Sequence, residues 1–185
     1  MREILKLTVI ITILFFLFSS SAFALNNIYI DAGGIYINNN DMGRHIGGGF
    51  GIGYNLVDNF NIIHRQSYSE ADDIAGIPHL YITFSFGLDY TWFFWNRFGL
   101  RGGFLAGIVH LENTGPAGLS DIGFNATVFT GIQFHIKQYL AVFIDVGFHY
   151  DYFSETFSNF SIYGETVLVG LRFTIGRNKR ISDGY

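Results

Sequence analysis

The chain has no cysteine, which excludes disulfide bridges and thiolate metal sites. Charge is scarce as well. Asp, Glu, Lys and Arg together make up 14% of 185 residues, where a soluble domain carries about a quarter. Lys and Arg number 11 against 15 Asp and Glu, and no basic patch suited to nucleic acid is present. The apolar run from Leu7 to Phe18 is too short for a membrane-crossing helix, which needs roughly 20 residues. Helical periodicity is missing from everything after Ala24.

The N-terminal run belongs to another signal. Arg2 and Lys6 form a basic start, and Ala22-Phe23-Ala24 ends the stretch in a small-x-small pattern, as in a secretory signal peptide. Cleavage after Ala24 is expected. It would remove Arg2, Glu3 and Lys6, leaving 9 Lys and Arg against 14 Asp and Glu, a net charge of −5. The expected organisation is a signal peptide over 1–24, one domain over 25–176 and a short polar tail over 177–185.

What the chain has in quantity is alternation. Residues are 49% hydrophobic and 18% aromatic, and they recur with period two between turn-rich stretches, the pattern of strands. Eight strands are predicted, over roughly 27–38, 45–56, 59–68, 79–94, 98–112, 122–136, 139–153 and 161–176. Connections near Val57-Asp58, Trp95-Asn96-Arg97 and Lys137-Gln138 are tight. Those at "NNNDMGR", "YSEADDIAGIP", "NTGPAGLS" and "SETFSN" are longer. Short turns on one side and longer loops on the other suit an up-and-down barrel in an outer membrane.

Face polarity separates membrane from water. In the fourth strand Leu80, Ile82, Phe84, Phe86, Leu88, Tyr90, Trp92 and Phe94 share one face, while Thr83, Ser85, Gly87, Asp89 and Thr91 share the other. A soluble eight-stranded barrel of lipocalin type would turn the apolar face inward around a ligand. Against that, the polar faces carry full charges, and the apolar faces of eight strands exceed what one narrow lumen can hold. Aromatics also gather near strand ends, as in interfacial girdles. The predicted fold is all-β, an eight-stranded antiparallel up-and-down transmembrane β-barrel.

Six charges then fall on the inward face at similar height: Asp31, Arg65, Asp89, Arg101, Asp145 and Arg172. A barrel of eight strands is only just wide enough for side chains to fill it, so the six are expected to meet as a neutral network. Arginine suits this because its fork binds a carboxylate through two hydrogen bonds. A lumen filled in this way argues against a wide diffusion pore.

Other signals carry less. "HIGGGFGIGY" lacks the spacing of a phosphate-binding loop and no helix follows it. Gly47, Gly49, Gly51 and Gly53 are instead expected to line the inner face, making room for Arg65 or Arg101. His149 and Asp151 sit on the inward face near the outer mouth. They suit a hydrogen-bonded lumen pair better than a metal site or an acid–base pair lacking a third partner. Glu70, Asp72 and Asp73 fail the EF-hand spacing. No metal or cofactor is expected. Asp41, Glu70, Asp72, Asp73, Asp121 and Glu155 make the longer loops acidic, whereas Arg97, Lys137, Arg177, Lys179 and Arg180 make the opposite side basic.

The last strand, "VLVGLRFTIG", carries Gly170, Phe173 and Ile175 in a Gly-x-x-aromatic-x-hydrophobic order, which is similar to a barrel-assembly signal. With the strand number and loop alternation, the chain resembles the small outer-membrane β-barrels of OmpA/OmpX type over residues 25–176. The resemblance implies a monomer in a bacterial outer membrane, with a role in envelope integrity, surface contact or adhesion and no catalysis. It further implies outer-membrane lipid, lipopolysaccharide and the barrel-assembly machinery as partners, together with host or envelope surface ligands. In size the chain also resembles the PagL-type lipid A deacylases, which use a membrane-facing His, Ser and Glu. Here His110, Glu112 and Glu165 fall on the lipid-facing side near the outer rim. The spacing is His-x-Glu rather than His-x-Ser, and no serine stands out as nucleophile. A narrow channel is the remaining alternative.

Overall fold

The period-two segments form eight strands: β1 Ile28–Asn39, β2 Gly43–Val57, β3 Phe60–Asp72, β4 Pro78–Phe93, β5 Phe98–Asn113, β6 Ser120–Lys137, β7 Leu140–Phe153 and β8 Phe160–Ile175. They belong to a computed structural model that describes residues 28–40, 42–57, 59–72, 78–114, 120–154 and 160–175. The expected signal peptide and polar tail lie outside the described residues. Each strand pairs antiparallel with the next, and β1 pairs with β8 to close a barrel. The closing seam runs from Ile28 opposite Ile175 to Asn39 opposite Gly164. Strands of 12 to 18 residues exceed the roughly 9–11 that cross a bilayer at a tilt.

Connections differ from expectation at one place. The segment "NNNDMGR" holds strand, not a long loop: only residues 40–42 separate β1 from β2. The Asn39 side chain accepts a hydrogen bond from the Met42 amide at 2.8 Å, and Gly43 takes a positive φ of 69°, which glycine adopts without steric cost. The longer connections are therefore 73–77, 114–119 and 154–159, all at the same end of the barrel as 40–42. Asp121 is not a loop charge either. It opens β6, points inward, and is buried.

The outward face is apolar along most of its length. Phe86, Leu88, Tyr90 and Trp92 on β4, Val128 and Ile132 on β6, and Val146 and Phe148 on β7 are all exposed. An aromatic group of Trp92, Phe94, Trp95, Phe98 and Phe134 marks the turn between β4 and β5, with ring centroids 4.6 to 6.2 Å apart. β3 breaks the pattern, as "NIIHRQS" suggests. His64 and Gln66 share its outward side. The His64 ring lies 4.5 Å from Phe86, and its Nδ1 meets the Ser85 carbonyl at 3.1 Å.

The inward face is less uniformly polar than alternation implies. Ile37, Tyr81, Val109, Leu111, Phe153 and Ile162 belong to one buried apolar cluster toward the end with longer connections. Tyr29, Ile63, Leu105 and Phe129 form a second, lower one. A barrel this narrow has to be filled at close-packed density, and rings do that where charges cannot. The β2 glycines serve this filling too. A Cβ on Gly53 would lie 2.0 Å from the Tyr29 ring, and one on Gly49 would lie 2.9 Å from Leu168. The space expected for Arg65 or Arg101 is thus taken by Tyr29 and Leu168.

Candidate functional site: the ion network of the lumen

Backbone register places the six charges before any side chain chooses a rotamer. Asp31 on β1 lies directly opposite Arg172 on β8. Gly131 on β6 lies between Arg101 on β5 and Asp145 on β7. It has to be glycine there: an added Cβ would sit 2.3 Å from the Ile144 carbonyl oxygen and 2.4 Å from Asp145 Oδ1. Gly51 on β2 lies between Asp31 and Arg65. Small residues thus flank the charges and let long side chains cross the lumen.

The six side chains do come together. Arg172 binds Asp31 with both arms of its fork, Nε to Oδ1 at 2.7 Å and Nη2 to Oδ2 at 2.8 Å. Arg101 donates from Nη2 to Asp89 at 2.7 Å, and its Nη1 lies 3.6 Å from Asp31 and 3.4 Å from Asp145. Arg65 donates from Nη2 to Asp145 at 2.7 Å. Arg172 also lies 3.7 Å from Asp89. Three guanidiniums and three carboxylates form one connected, formally neutral group, with each residue less than one-tenth exposed. Buried charge is tolerated on these terms, paired and hydrogen-bonded.

A second layer holds the first. Tyr29 donates its hydroxyl to Asp89 at 2.9 Å, and Asn61 donates its amide to the same carboxylate. Gln133 accepts from Arg172 at 3.2 Å. Aromatic faces cover the cations: Arg172 lies 3.6 Å from the Tyr29 ring centre, Arg65 lies 4.6 Å from Phe129, and Arg101 lies 5.2 Å from Phe143. Such stacking adds attraction that water does not screen here. These second-layer residues went unread in the sequence, though a signal exists. Tyr29 and Phe143 each precede an inward carboxylate by two positions, so ring and charge share a face.

Above the network, His149 and Asp151 point inward on β7, with Nε2 3.9 Å from Oδ2. Asp151 is held instead by Tyr81 and Asn125, both donating to it, and Ser85 donates to Asn125 at 2.8 Å. His45, unremarked in the sequence, is fully buried nearby, with its ring 5.6 Å from that of Tyr81. Among the described residues no set of three or more His, Asp or Glu is arranged to hold a metal.

The lipid-facing candidates separate into two places. His110 and Glu112 are neighbours on the outward face of β5, Nε2 to Oε2 at 3.6 Å. Ser120 stands opposite Glu112 on β6, a proximity the sequence hid because the two strands meet only through their register. Glu165 lies on β8, beyond β6 and β7, opposite Asn38 and Phe148. Gly170, Phe173 and Ile175 fall on β8 with Phe173 and Ile175 facing out and Gly170 facing in.

No family model matches the chain, and no curated protein matches it. Solved structures do. Neisserial surface protein A aligns with a TM-score of 0.66 at 12% identity, over 80% of this chain and 96% of that one. The attachment invasion locus protein Ail of Yersinia pestis, in complex with the heparin analogue sucrose octasulfate, aligns with a TM-score of 0.51 at 15% identity, over 80% and 99%. The outer membrane protein OprG of Pseudomonas aeruginosa gives 0.51 at 9%, over 82% and 97%. At these identities the likeness is one of fold. The chain is an all-β, eight-stranded transmembrane barrel, and its structural neighbours are outer-membrane proteins.

Proposed function

We propose that the chain is a bacterial outer-membrane protein of structural or surface-contact type, with a lumen closed to solutes. The observation that carries this reading is the ion network, in which six charges and their stacked aromatics occupy the barrel cross-section. Paired guanidiniums and carboxylates crowd an eight-stranded lumen that has little width to spare. With catalysis and bulk transport set aside, the rim and the longer connections remain as working surfaces. Their charge is acidic, from Glu70, Asp72, Asp73 and Glu155. That balance suits contact with cationic surfaces, or with lipopolysaccharide phosphates through divalent cations. It does not suit a sulfated polyanion of the kind bound by Ail, since like charges meet. The OmpA/OmpX-type role and the export through a signal peptide belong to the same proposal. The test is planar-bilayer recording beside a cell- or matrix-binding assay. Silent bilayers, with binding that disappears when segments 73–77, 114–119 and 154–159 are replaced, support the proposal. Steady conductance altered by Arg101→Ala defeats it.

One observation favours a second reading, a lipid A-modifying hydrolase. His110, Glu112 and Ser120 share the lipid-facing rim, where an acyl chain would pass. A working triad needs the histidine between the serine and the acid, whereas His110 turns Nε2 toward Glu112 and leaves Nδ1 buried without a partner. A change in the lipid A mass spectrum that His110→Ala abolishes would favour the hydrolase. An unchanged spectrum removes it.

A further inference from the structure

β3 carries a polar row on the side that faces lipid. His64, Gln66, Tyr68 and Glu70 occupy alternate positions, and Arg65 between the first two reaches Asp145 across the lumen, so the row points outward. Gln66 is the seventh of the 13 residues of β3. At the rise and tilt of such strands it stands about 15 Å above Phe60, near the middle of an apolar band roughly 25 Å tall. Register puts Phe50 and Phe84 directly beside it, with Gly48, Ile52, Ile82 and Phe86 on the diagonals. On its own strand, His64 Nδ1 is engaged by the Ser85 carbonyl at 3.1 Å, and Tyr68 donates its hydroxyl to Glu70. Among the described residues, none of these neighbours pairs with the Gln66 carboxamide. The residue is only partly buried, so its amide borders hydrocarbon, where an unpaired polar group is costly.

Depth selects among partners. The ester, phosphate and sugar groups of lipids lie at the two interfaces, and the hydrocarbon between them excludes water. The partner is therefore a protein group held at the same depth. A second copy of this chain meets that condition by symmetry. Copies inserted in the same direction are related by a two-fold axis along the membrane normal, which returns every residue to its own depth. A carboxamide both donates and accepts, so two Gln66 side chains facing across that axis give each other the bonds that one barrel lacks. The surface beside them permits close approach. Gly34 lies opposite Gly48, and a Cβ added to either would meet nothing nearer than a backbone oxygen at 4.0 Å.

We propose that the outward face of β3 is a docking surface for a second copy of this chain, with Gln66 paired to its counterpart at the centre of a two-fold dimer within the membrane. The resemblance to small outer-membrane barrels implies a monomer, and the polar row of β3 sets this chain apart from that expectation. The ion network lies inside each barrel, so pairing of copies leaves the lumen as it is. Dimerisation and closure to solutes are separate properties of the chain.

The test uses the full chain refolded into lipid vesicles. The chain has no cysteine, so one introduced cysteine carries one dye. Val57→Cys, at the connection of β2 to β3, and Gln138→Cys, between β6 and β7, lie on opposite sides of the eight-stranded ring. Energy transfer between donor- and acceptor-labelled copies should exceed the random-mixing value at high lipid dilution, and should be stronger from position 57 than from position 138. Gln66→Leu, an apolar change at a lipid-facing position, should fold as the parent does and weaken association about tenfold. Transfer at the random-mixing value overturns the proposal. Transfer equal or stronger from position 138 also overturns it, because the contact then lies on another face. Unchanged association in Gln66→Leu does the same. Should Gln66→Leu fail to fold, the comparison of positions 57 and 138 in the parent chain decides alone.

Discussion

Replacing Arg101 by Met is the sharpest perturbation of the ion network. The Arg101 side chain is fully buried and lies within 3.6 Å of all three carboxylates, Asp89, Asp31 and Asp145. Met keeps much of its length and its contact with Phe129 and Phe143, so the change removes chiefly charge. Two guanidiniums then face three carboxylates. Asp89 retains Tyr29, Asn61 and Arg172, the last only at 3.7 Å. Removing one partner from a buried ion pair costs about 3–5 kcal/mol, because the charge left behind is uncompensated. At a urea slope of about 2 kcal/mol per molar, the midpoint of unfolding should fall by roughly 2 M. The assay is reversible folding into lipid vesicles followed by the fluorescence of Trp92 and Trp95. A second change, Asp89→Asn in the Arg101→Met background, restores charge balance and should recover at least half of the loss, a coupling expected of direct contacts. A loss below about 1 kcal/mol, or no recovery in the double variant, refutes the network and leaves six charges separately hydrated.

The same vesicle assay checks four further expectations. Arg172→Lys keeps the charge but forfeits the two-armed grip on Asp31 and the flat stacking over Tyr29, and should cost about 1–3 kcal/mol. Gly131→Ala drives a Cβ against the Ile144 carbonyl and Asp145 and should cost about 1–3 kcal/mol. By contrast Gly34→Ala, whose nearest atom is the Gly47 carbonyl oxygen at 4.0 Å, should stay within about 0.5 kcal/mol of the parent. Val128→Arg puts a charge at the middle of β6 on a residue 60% exposed and should cost roughly 2–4 kcal/mol in bilayers. Little or no cost in vesicles would mean that this face does not meet hydrocarbon.

The barrel was legible in the sequence because period two leaves its mark residue by residue. β4 and β7 show it cleanly, and the strand ends there shift by only a residue or so. Inside and outside were separable on β4 because Asp89 shares its face with Thr83, Ser85, Gly87 and Thr91. What the sequence concealed depends on register. Ser120 lies opposite Glu112, and Gly131 makes room for Asp145, only through the stagger of neighbouring strands. No local pattern records that stagger. The "NNNDMGR" segment misled because its polar residues resemble a loop, whereas Asn38 and Asn39 pair within β1. Inner rings such as Phe129 and Phe153 were hidden for a related reason. A phenylalanine on the lumen side looks the same in the sequence as one facing lipid.

The pairing of Asp31 with Arg172 joins the first strand of the barrel to the last. Within the ion network, a nascent sheet that has placed β1 to β7 but still lacks β8 holds three aspartates and only two arginines, so the network is one negative charge out of balance. Docking of the final strand cancels that excess in the same step that removes both free edges. Completion of the chain is thereby coupled to neutrality, and a truncated or misregistered copy would keep an unmet carboxylate at its open seam.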